Sequence, residues 1–449
     1  VIKPEAQSLS ILSTKDWSTI KIINLDSKPT SIAYDRDIEA FLIGFESNSS
    51  LLLISSLSFE QLSYLPLTQT PTRILTTENY LLVTSRIAGS LNVYDKYNLT
   101  LLKNIYLGGS PSGITYISEE GMVYVPDLLQ GLINVISLTQ LSVIDKIDMG
   151  STATLTESII FDENYEFGYV PQTYQNTDNQ NLQFDTAVFP SLSIINLKTN
   201  ENLRKRRLGL DIVDQPVGIP LTGLIFNGYL FIANYASNDL SIISLDTMTL
   251  EAHIELGFTP FGLVADKKNE LILVNNTLDE TISIIDGNSL ALIEHIKITE
   301  MDESSQLIQG QRLFNNSDDP RLAKDQWIAC ATCHFEGGND GASWFFPDGK
   351  RNTPSLFNSI QTAPFHWNGD LDEIQDVEFT IQDLMAGHGL SGGQPNCKPN
   401  CTLDKSNAGR SSDLDALAMY VNSLQFPIAF NQISALTDFS AYTDGKAIF

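Results

Sequence analysis

Five consecutive residues carry the clearest chemistry of this sequence: residues 330–334 read Cys-Ala-Thr-Cys-His. In such a C-x-x-C-H motif the two thiols lie close enough to reach both vinyl groups of one porphyrin. The imidazole that follows is then carried under the iron as an axial ligand. The motif therefore predicts one covalently attached haem c, bound through Cys330, Cys333 and His334.

Two other uses of a C-x-x-C pair stay open. A thioredoxin-like dithiol occurs in a βαβ setting, which this part of the sequence does not show. A zinc site needs a second pair of ligands, and Cys397 and Cys401 are the remaining thiols. No histidine follows Cys401, so these two cysteines are not a second haem motif, and we expect a short-loop disulfide between them.

Charge is the most uneven property of the 449 residues: 27 lysines and arginines stand against 54 aspartates and glutamates, a net charge of -27. Nucleic acid is excluded as a partner because little would neutralise its phosphates, whereas a cationic redox protein would be attracted. No run approaches the roughly 18 apolar residues of a membrane helix. The chain begins at Val1 without a signal-peptide pattern, so we expect an already processed, soluble protein.

The elements that must hold the motif begin with a repeat over residues 1–299. A short alternating strand recurs seven times, each time followed by a polar turn and a second strand. Prolines open several units at intervals of 42, 40, 105 and 44 residues, and we place an insertion within the longest interval, at residues 172–189. A period near 42 residues with four short strands per unit is typical of a β-propeller. The seven copies begin at Leu9, Leu51, Leu91, Ile133, Leu192, Leu240 and Ile282.

The repeat resembles the YVTN family of seven-bladed bacterial propellers, which implies architecture rather than chemistry. Seven copies of the outer strand pair stand against six of the inner pair, so one blade is predicted to be incomplete in this chain. We expect the missing strands to come from residues before Val1 or from beyond the propeller. His253 and His295 occupy the same strand position in successive blades and are interpreted as structural, with a surface metal site as the alternative.

Past residue 299 the pattern changes to helix. Residues 304–314 and 412–424 each start with a capping serine and have an apolar face. The C-x-x-C-H motif lies between them, which indicates a mainly α-helical cytochrome c domain of the class I type. The predicted domains are the propeller at 1–299, the cytochrome c domain at 300–432, and a linker at 433–449.

Several short segments between and within these helices carry a family resemblance. They are residues 310–314, the C-x-x-C-H motif, residues 351–356, 362–370 and 383–389, and the closing helix. Together they resemble the bacterial diheme cytochrome c peroxidase family over residues 300–430. In that family a methionine after the Thr-Ala-Pro stretch is the distal iron ligand, and Met385 stands at the matching position. The resemblance implies a His334/Met385 pair, with His388, His366 or a vacant site as alternatives.

Other residues near the motif are given smaller roles. In small cytochromes the glycine that corresponds to Gly310 lets the first helix cross the last one closely. Arg351 is predicted to bind a haem propionate, since a guanidinium can hold a carboxylate with two hydrogen bonds; a surface loop arginine is the alternative. Trp344 and Trp367 are interpreted either as pocket walls or as core packing, and Met419 as a core residue.

These predictions describe an extracytoplasmic c-type cytochrome, periplasmic or at the cell surface, whose haem carries electrons and whose propeller is a docking or scaffold module. Peroxidase chemistry would need a haem with an open sixth position. Residues 444–449 repeat the Gly-x-x-x-Phe pattern of residues 310–314, so a second haem domain beyond Phe449 is an alternative that leaves the enzyme question open. A third alternative is a surface scaffold that forms oligomers or a larger assembly wired by the haem.

Overall fold

Alternating apolar residues turn each repeat into short strands that pair with their neighbours along the chain. This computed structural model describes residues 1–45, 49–180, 183–211, 215–298, 305–346, 349–391 and 406–426. Within these ranges the repeat region forms seven antiparallel sheets, which are the blades of a seven-bladed β-propeller. The predicted propeller is therefore confirmed, and its blades are numbered 1 to 7 in chain order.

Blade 1 has β1 (Ile2–Lys3), β2 (Ser8–Leu12) and β3 (Thr19–Asn24). Blade 2 has β4 (Pro29–Asp35), β5 (Ala40–Phe45), β6 (Ser50–Ser55) and β7 (Gln61–Pro66). Blade 3 has β8 (Arg73–Thr76), β9 (Tyr80–Ser85), β10 (Ser90–Asp95) and β11 (Leu101–Tyr106). Blade 4 has β12 (Thr115–Ile117), β13 (Met122–Pro126), β14 (Leu132–Ser137) and β15 (Ser142–Asp148). Blade 5 has β16 (Ala153–Thr154), β17 (Ile160–Phe161), β18 (Phe167–Gln175), β19 (Val188–Asn196), β20 (Glu201–Asn202) and β21 (Leu208–Gly209). Blades 6 and 7 have β22 (Pro220–Phe226), β23 (Tyr229–Asn234), β24 (Asp239–Ser244) and β25 (Thr249–Glu255), then β26 (Pro260–Asp266), β27 (Leu271–Asn276), β28 (Thr281–Asp286) and β29 (Ala291–Lys297).

Apolar clusters between successive blades close the ring, because a single small sheet cannot bury both of its faces alone. Between blades 3 and 4, for example, Val93 and Leu107 pack in one cluster with Val123 and Ile136. The seam between blade 7 and blade 1 is filled in the same way, where Val1, Leu12 and Trp17 pack against Ile282, Ile284 and Ile298.

Blade 1 differs from the others in its inner strands. The innermost strand of its sheet is the two-residue β1, which pairs with β2: Ile2 lies opposite Leu9 and Lys3 lies opposite Ser8. The expectation that the whole inner pair is missing is therefore wrong for one of the two strands, since β1 supplies part of it. Among the described residues, the sheet of blade 1 contains three strands where blades 2, 3, 4, 6 and 7 contain four.

The second domain is mainly helical, as predicted. Its helices are α1 (Gln306–Asn315), α2 (Cys330–Cys333), α3 (Val377–Phe379) and α4 (Ser412–Ser423), its strands are β30 (Ser343–Phe346) and β31 (Gly349–Asn352), and α3 continues into a π-helical turn at Thr380–Leu384. Short 3-10 turns lie at Phe335–Gly337, Ser359–Gln361 and Ile374–Asp376, and one more lies in the propeller at Arg204–Arg206. The hydroxyl oxygen of Ser411 accepts hydrogen bonds from the N–H groups of Asp413 and Leu414 and so caps α4.

Helices α1 and α4 cross at Gly310. A Cβ atom at this position would overlap the carbonyl oxygen of Ala416, so only glycine allows the two backbones to approach this closely. One turn further along α1, the Phe314 ring packs edge-on against Tyr420 with ring centroids 5.1 Å apart. The close crossing expected from small cytochromes is thus present.

The helical domain lies against the propeller through a shared apolar cluster. This cluster joins Leu155 and Leu221 of the blades to Leu313 and Leu417 of the helices. Two adjacent residues of α1 add polar contacts: Gln311 Nε2 donates to Glu5 Oε1 of blade 1 at 3.1 Å, and Arg312 Nη2 donates to Asp279 Oδ1 of blade 7 at 2.9 Å.

Candidate functional site

The C-x-x-C-H motif folds as the short helix α2 and the turn that follows it. Thr332 Oγ1 accepts a hydrogen bond from the Ala329 N–H at 3.1 Å, and the His334 N–H donates to the Cys330 carbonyl at 2.9 Å. Ala331 and Thr332 are buried under the helix, whereas both cysteines are only partly buried. The local fold therefore places both thiols on the more open side of one turn, as attachment to one porphyrin requires.

The His334 imidazole lies against two backbone groups, those of Gly338 and Pro354. Its Nδ1 lies 3.3 Å from the carbonyl oxygen of Gly338, and because a carbonyl can only accept, Nδ1 carries the proton. This leaves Nε2 as the nitrogen that can bind a metal. Burial lowers the pKa of His334, which keeps the ring neutral and suited to ligation.

The two thiols are neutral rather than ionised. Burial raises the pKa of Cys330 to about 11, and burial together with the nearby Asp340 carboxylate raises the pKa of Cys333 well above its usual range. Reactive dithiols have lowered thiol pKa values, so this environment does not favour a redox-active dithiol. Neutral thiols beside a neutral, oriented imidazole fit a covalently attached haem.

Met385 follows the π-helical turn directly, and its backbone is held by contacts with the segment around Arg321 and Lys324. The Lys324 N–H donates to the Met385 carbonyl at 3.2 Å, and the following Gly387 packs so closely on the carbonyl of Arg321 that a Cβ would overlap it. Met385 and Cys333 are partly buried and pack against the same apolar group, the tryptophan cluster, which consists of Ala187, Val188, Ala323, Trp327, Ile328 and Trp344. His388, by contrast, is exposed. This placement agrees with Met385 as the sixth ligand, which stays a prediction.

The other predicted site residues lie farther toward the surface. Trp344 is buried and donates its Nε1–H to Asp340 Oδ2 at 2.8 Å, whereas Trp367 is 62% exposed. His366 is exposed, with Nδ1 3.2 Å from Asp370 Oδ1, and Arg351 donates to Asn368 Oδ1 at 3.3 Å. The propionate role of Arg351 stays a prediction.

Met419 corrects an expectation. It is 44% exposed, because it lies on the side of α4 opposite the apolar face, so it is not a core residue. The two strand histidines behave as predicted: His253 Nε2 lies 2.8 Å from Ser241 Oγ and His295 Nδ1 lies 2.9 Å from Ser283 Oγ, which repeats one structural contact in two blades. Cys397, Cys401 and residues 444–449 lie outside the described residues.

The insertion in blade 5 forms part of the site, which the sequence did not reveal. Strands β18 and β19 are each nine residues long, and they extend into the insertion from its two ends. Ala187 and Val188 pack into the tryptophan cluster, and Gln175 Nε2 donates to Asp340 Oδ2 at 3.2 Å. The Phe345 N–H also donates to the Thr177 carbonyl at 3.1 Å. The insertion length was the only available signal, and it did not say which surface the hairpin covers.

A second contact with the propeller lies directly after His334. The Phe335 ring packs edge-on against Tyr235 of blade 6, with centroids 5.6 Å apart, and the Glu336 carboxylate pairs with Arg86 Nη1 of blade 3. Burial acts to raise the pKa of Glu336, but Arg86 and Arg73 outweigh it and the pKa is lowered, so the carboxylate is ionised. Residues 86 and 336 are too far apart in sequence for any local pattern to predict this ion pair.

Comparison with known proteins identifies the helical region. A family model described as "Di-haem cytochrome c peroxidase" matches residues 304–387. The C-terminal region resembles this family. It is 32% identical over 88 residues to the cytochrome c551 peroxidase of Pseudomonas aeruginosa, an alignment that spans 18% of this chain and 24% of that protein. The chain therefore matches about a quarter of its curated relative, and this resemblance confirms the one predicted from the sequence.

Solved structures match the propeller. Hydrazine synthase of Kuenenia stuttgartiensis aligns with a TM-score of 0.59 and 11% identity over 64% of this chain and 91% of that one, which shows a shared fold. The dihydro-haem d1 dehydrogenase NirN aligns with a TM-score of 0.49 and 11% identity over 67% of this chain and 63% of that one. The structure thus joins a seven-bladed propeller to a peroxidase-like domain. In the described ranges, no helix has the length and apolar character needed to span a bilayer.

Proposed function

We propose that this protein is an extracytoplasmic c-type cytochrome that carries electrons through one haem attached at Cys330 and Cys333 and ligated by His334 and Met385. The observation that carries the proposal is the common placement of Cys333 and Met385 against the tryptophan cluster, beside an imidazole whose Nδ1 is already bonded. A bound haem would supply one-electron redox chemistry.

The residues of this chain would hold and shield that group. Gly338 keeps the proton on Nδ1 of His334, which would leave Nε2 free to ligate the iron. Trp327 and Trp344 are buried beside Met385 and exclude water from that side. A methionine sulfur in the sixth position fills the site and favours electron transfer over binding of a substrate to the metal.

The partner would be a cationic redox protein. A net charge of -27 produces a long-range negative field that accelerates encounters with a basic partner. The propeller would serve as the docking module, and the helical domain is joined to it through two apolar clusters, one that contains Leu313 and Leu417 and the tryptophan cluster.

A second candidate is a peroxidase with another haem beyond Phe449. The family model is that of a di-haem enzyme, and the alignment covers 24% of the curated relative, which favours this candidate. In that case the His334 haem would relay electrons to a second centre with an open sixth position.

One experiment separates the two candidates. The native protein is purified, and its haem-to-protein ratio, its reduced-minus-oxidised spectrum and its turnover of peroxide by the reduced form are measured. We expect one haem per chain, a low-spin spectrum with a methionine-to-iron band, and no peroxide turnover. Two haems with peroxide turnover would support the second candidate instead. The control is C330A/C333A, which must carry one covalent haem fewer than the wild type by intact mass.

A further inference from the structure

Glu336 has a backbone conformation that is uncommon for its residue type. Its φ and ψ angles are 52° and 27°, in the left-handed region that residues other than glycine rarely adopt. The turn sends Phe335 toward Tyr235 and the Glu336 carboxylate toward Arg86, both in the propeller. The segment that carries His334 is therefore fixed by two contacts with the propeller immediately after the ligand.

Arg86 is itself held in place before it meets Glu336. Its Nη2 donates to Ser112 Oγ at 2.9 Å and lies 3.3 Å from Glu157 Oε2, and its backbone N–H donates to Thr72 Oγ1 at 2.9 Å. Only 17% of the Arg86 side chain is exposed, against 56% of the Glu336 side chain. The propeller thus presents a fixed guanidinium to a carboxylate of the haem-attachment turn.

Either residue of the Arg86–Glu336 pair can be replaced without leaving an unpaired buried charge. Glu157 also pairs with Arg73 at 2.7 Å, so loss of Arg86 leaves Glu157 with a cation. Loss of the Glu336 charge leaves Arg86 with Glu157. Substitution of either residue therefore changes one charge at the turn that follows His334 and does not create an unpaired charge inside the propeller.

We propose that Arg86 is a positioning residue of the haem site, which holds Glu336 and thereby sets the reduction potential of a haem ligated by His334. The inference rests on the proposed function, because it requires a haem at Cys330 and Cys333. Oxidised haem carries one more positive charge than reduced haem, so the negative charge of Glu336 stabilises the oxidised form and the positive charge of Arg86 opposes it. The propeller then acts on the redox equilibrium as well as on docking.

The test uses Arg86→Met and Glu336→Gln in the full holoprotein, each followed by a redox titration. In R86M the loss of one positive charge beside Glu336 should favour oxidised haem, and the reduced-to-oxidised ratio at a fixed ambient potential should fall about threefold to tenfold. E336Q should raise the ratio by a similar factor. The matched control is R204M, which removes an exposed arginine paired with Asp148 and should leave the ratio unchanged.

The signs of the two shifts decide between this role and a purely structural one. Loosening of the turn would expose the haem to water in both variants and would shift the ratio in the same direction, which would overturn the proposal. No shift relative to R204M in either variant would also overturn it. If R86M does not fold, E336Q still carries the test, because its side chain is half exposed. Wild-type protein without covalent haem would refute the proposed function, whereas haem at the expected ratio without opposite shifts would refute only this inference.

Discussion

Single side chains around His334 decide what the site can do. The Nδ1–H of His334 is bonded to Gly338, Trp344 is bonded to Asp340, and Asp340 also accepts from Gln175 of the propeller. The Asp340 carboxylate therefore links the wall of the site to blade 5 and lies close enough to Cys333 to raise its pKa. A chain of such contacts keeps a metal-binding side chain oriented, so a single substitution within it can disturb the site.

Met385→His tests the sixth ligand. The variant should keep covalent haem but lose the methionine-to-iron band, and its potential should fall by an amount on the order of 100 mV, because a thioether raises the potential relative to a second imidazole. Spectroscopy and redox titration measure both effects. The control is His388→Ala, which removes an exposed side chain and should change neither. A changed spectrum in H388A with an unchanged one in M385H would assign the ligand to His388.

At the scale of elements, the crossing of α1 and α4 frames the helical domain. Gly310→Ala should destabilise this domain by roughly 3 kcal/mol or more, because the new methyl group overlaps the Ala416 carbonyl and the helices must separate. Chemical denaturation measures the loss. Gly262→Ala is the control, since its Cβ would meet no atom closer than 3.9 Å. Equal stability losses in the two variants would contradict the close crossing.

The β18–β19 hairpin of the propeller forms one wall of the candidate haem site. Val188→Asp should weaken the contact between blade 5 and the tryptophan cluster by roughly 3 kcal/mol, because it places an unpaired charge among apolar side chains. Near-UV circular dichroism of the buried tryptophans and protease sensitivity of the hairpin report the change. Val264→Asp, at a position 59% exposed, should leave both signals as in the wild type. An unchanged V188D would show that the hairpin does not hold the cluster.

The elements also show where sequence patterns suffice. The blades, the two helices and the C-x-x-C-H turn are predictable because strand alternation, helix faces and thiol spacing are local features. The ion pair of Glu336 with Arg86 and the packing of Val188 in the tryptophan cluster join residues from different domains, and no periodicity encodes them. The insertion was visible as extra length at residues 172–189, but its surface could be assigned only from the folded chain.

At the scale of the whole molecule, charge governs encounters. If the redox partner is cationic, the second-order rate constant of electron transfer should fall by about tenfold or more between 10 mM and 200 mM salt, because the Debye length shortens over this range. Stopped-flow mixing with a basic and an acidic small cytochrome measures the dependence. The acidic cytochrome should show a rate that rises with salt. A rate that is independent of salt for both would refute steering by the charge of -27.

Helix α1 also touches both ends of the ring. Its neighbouring residues Gln311 and Arg312 bind Glu5 of the first blade and Asp279 of the last. Parting these two blades therefore requires the helix to release at least one of them, which couples opening of the ring to the loss of a contact of the helical domain. Haem binding, which would stabilise that domain, should for this reason also slow hydrogen exchange in strands of blades 1 and 7.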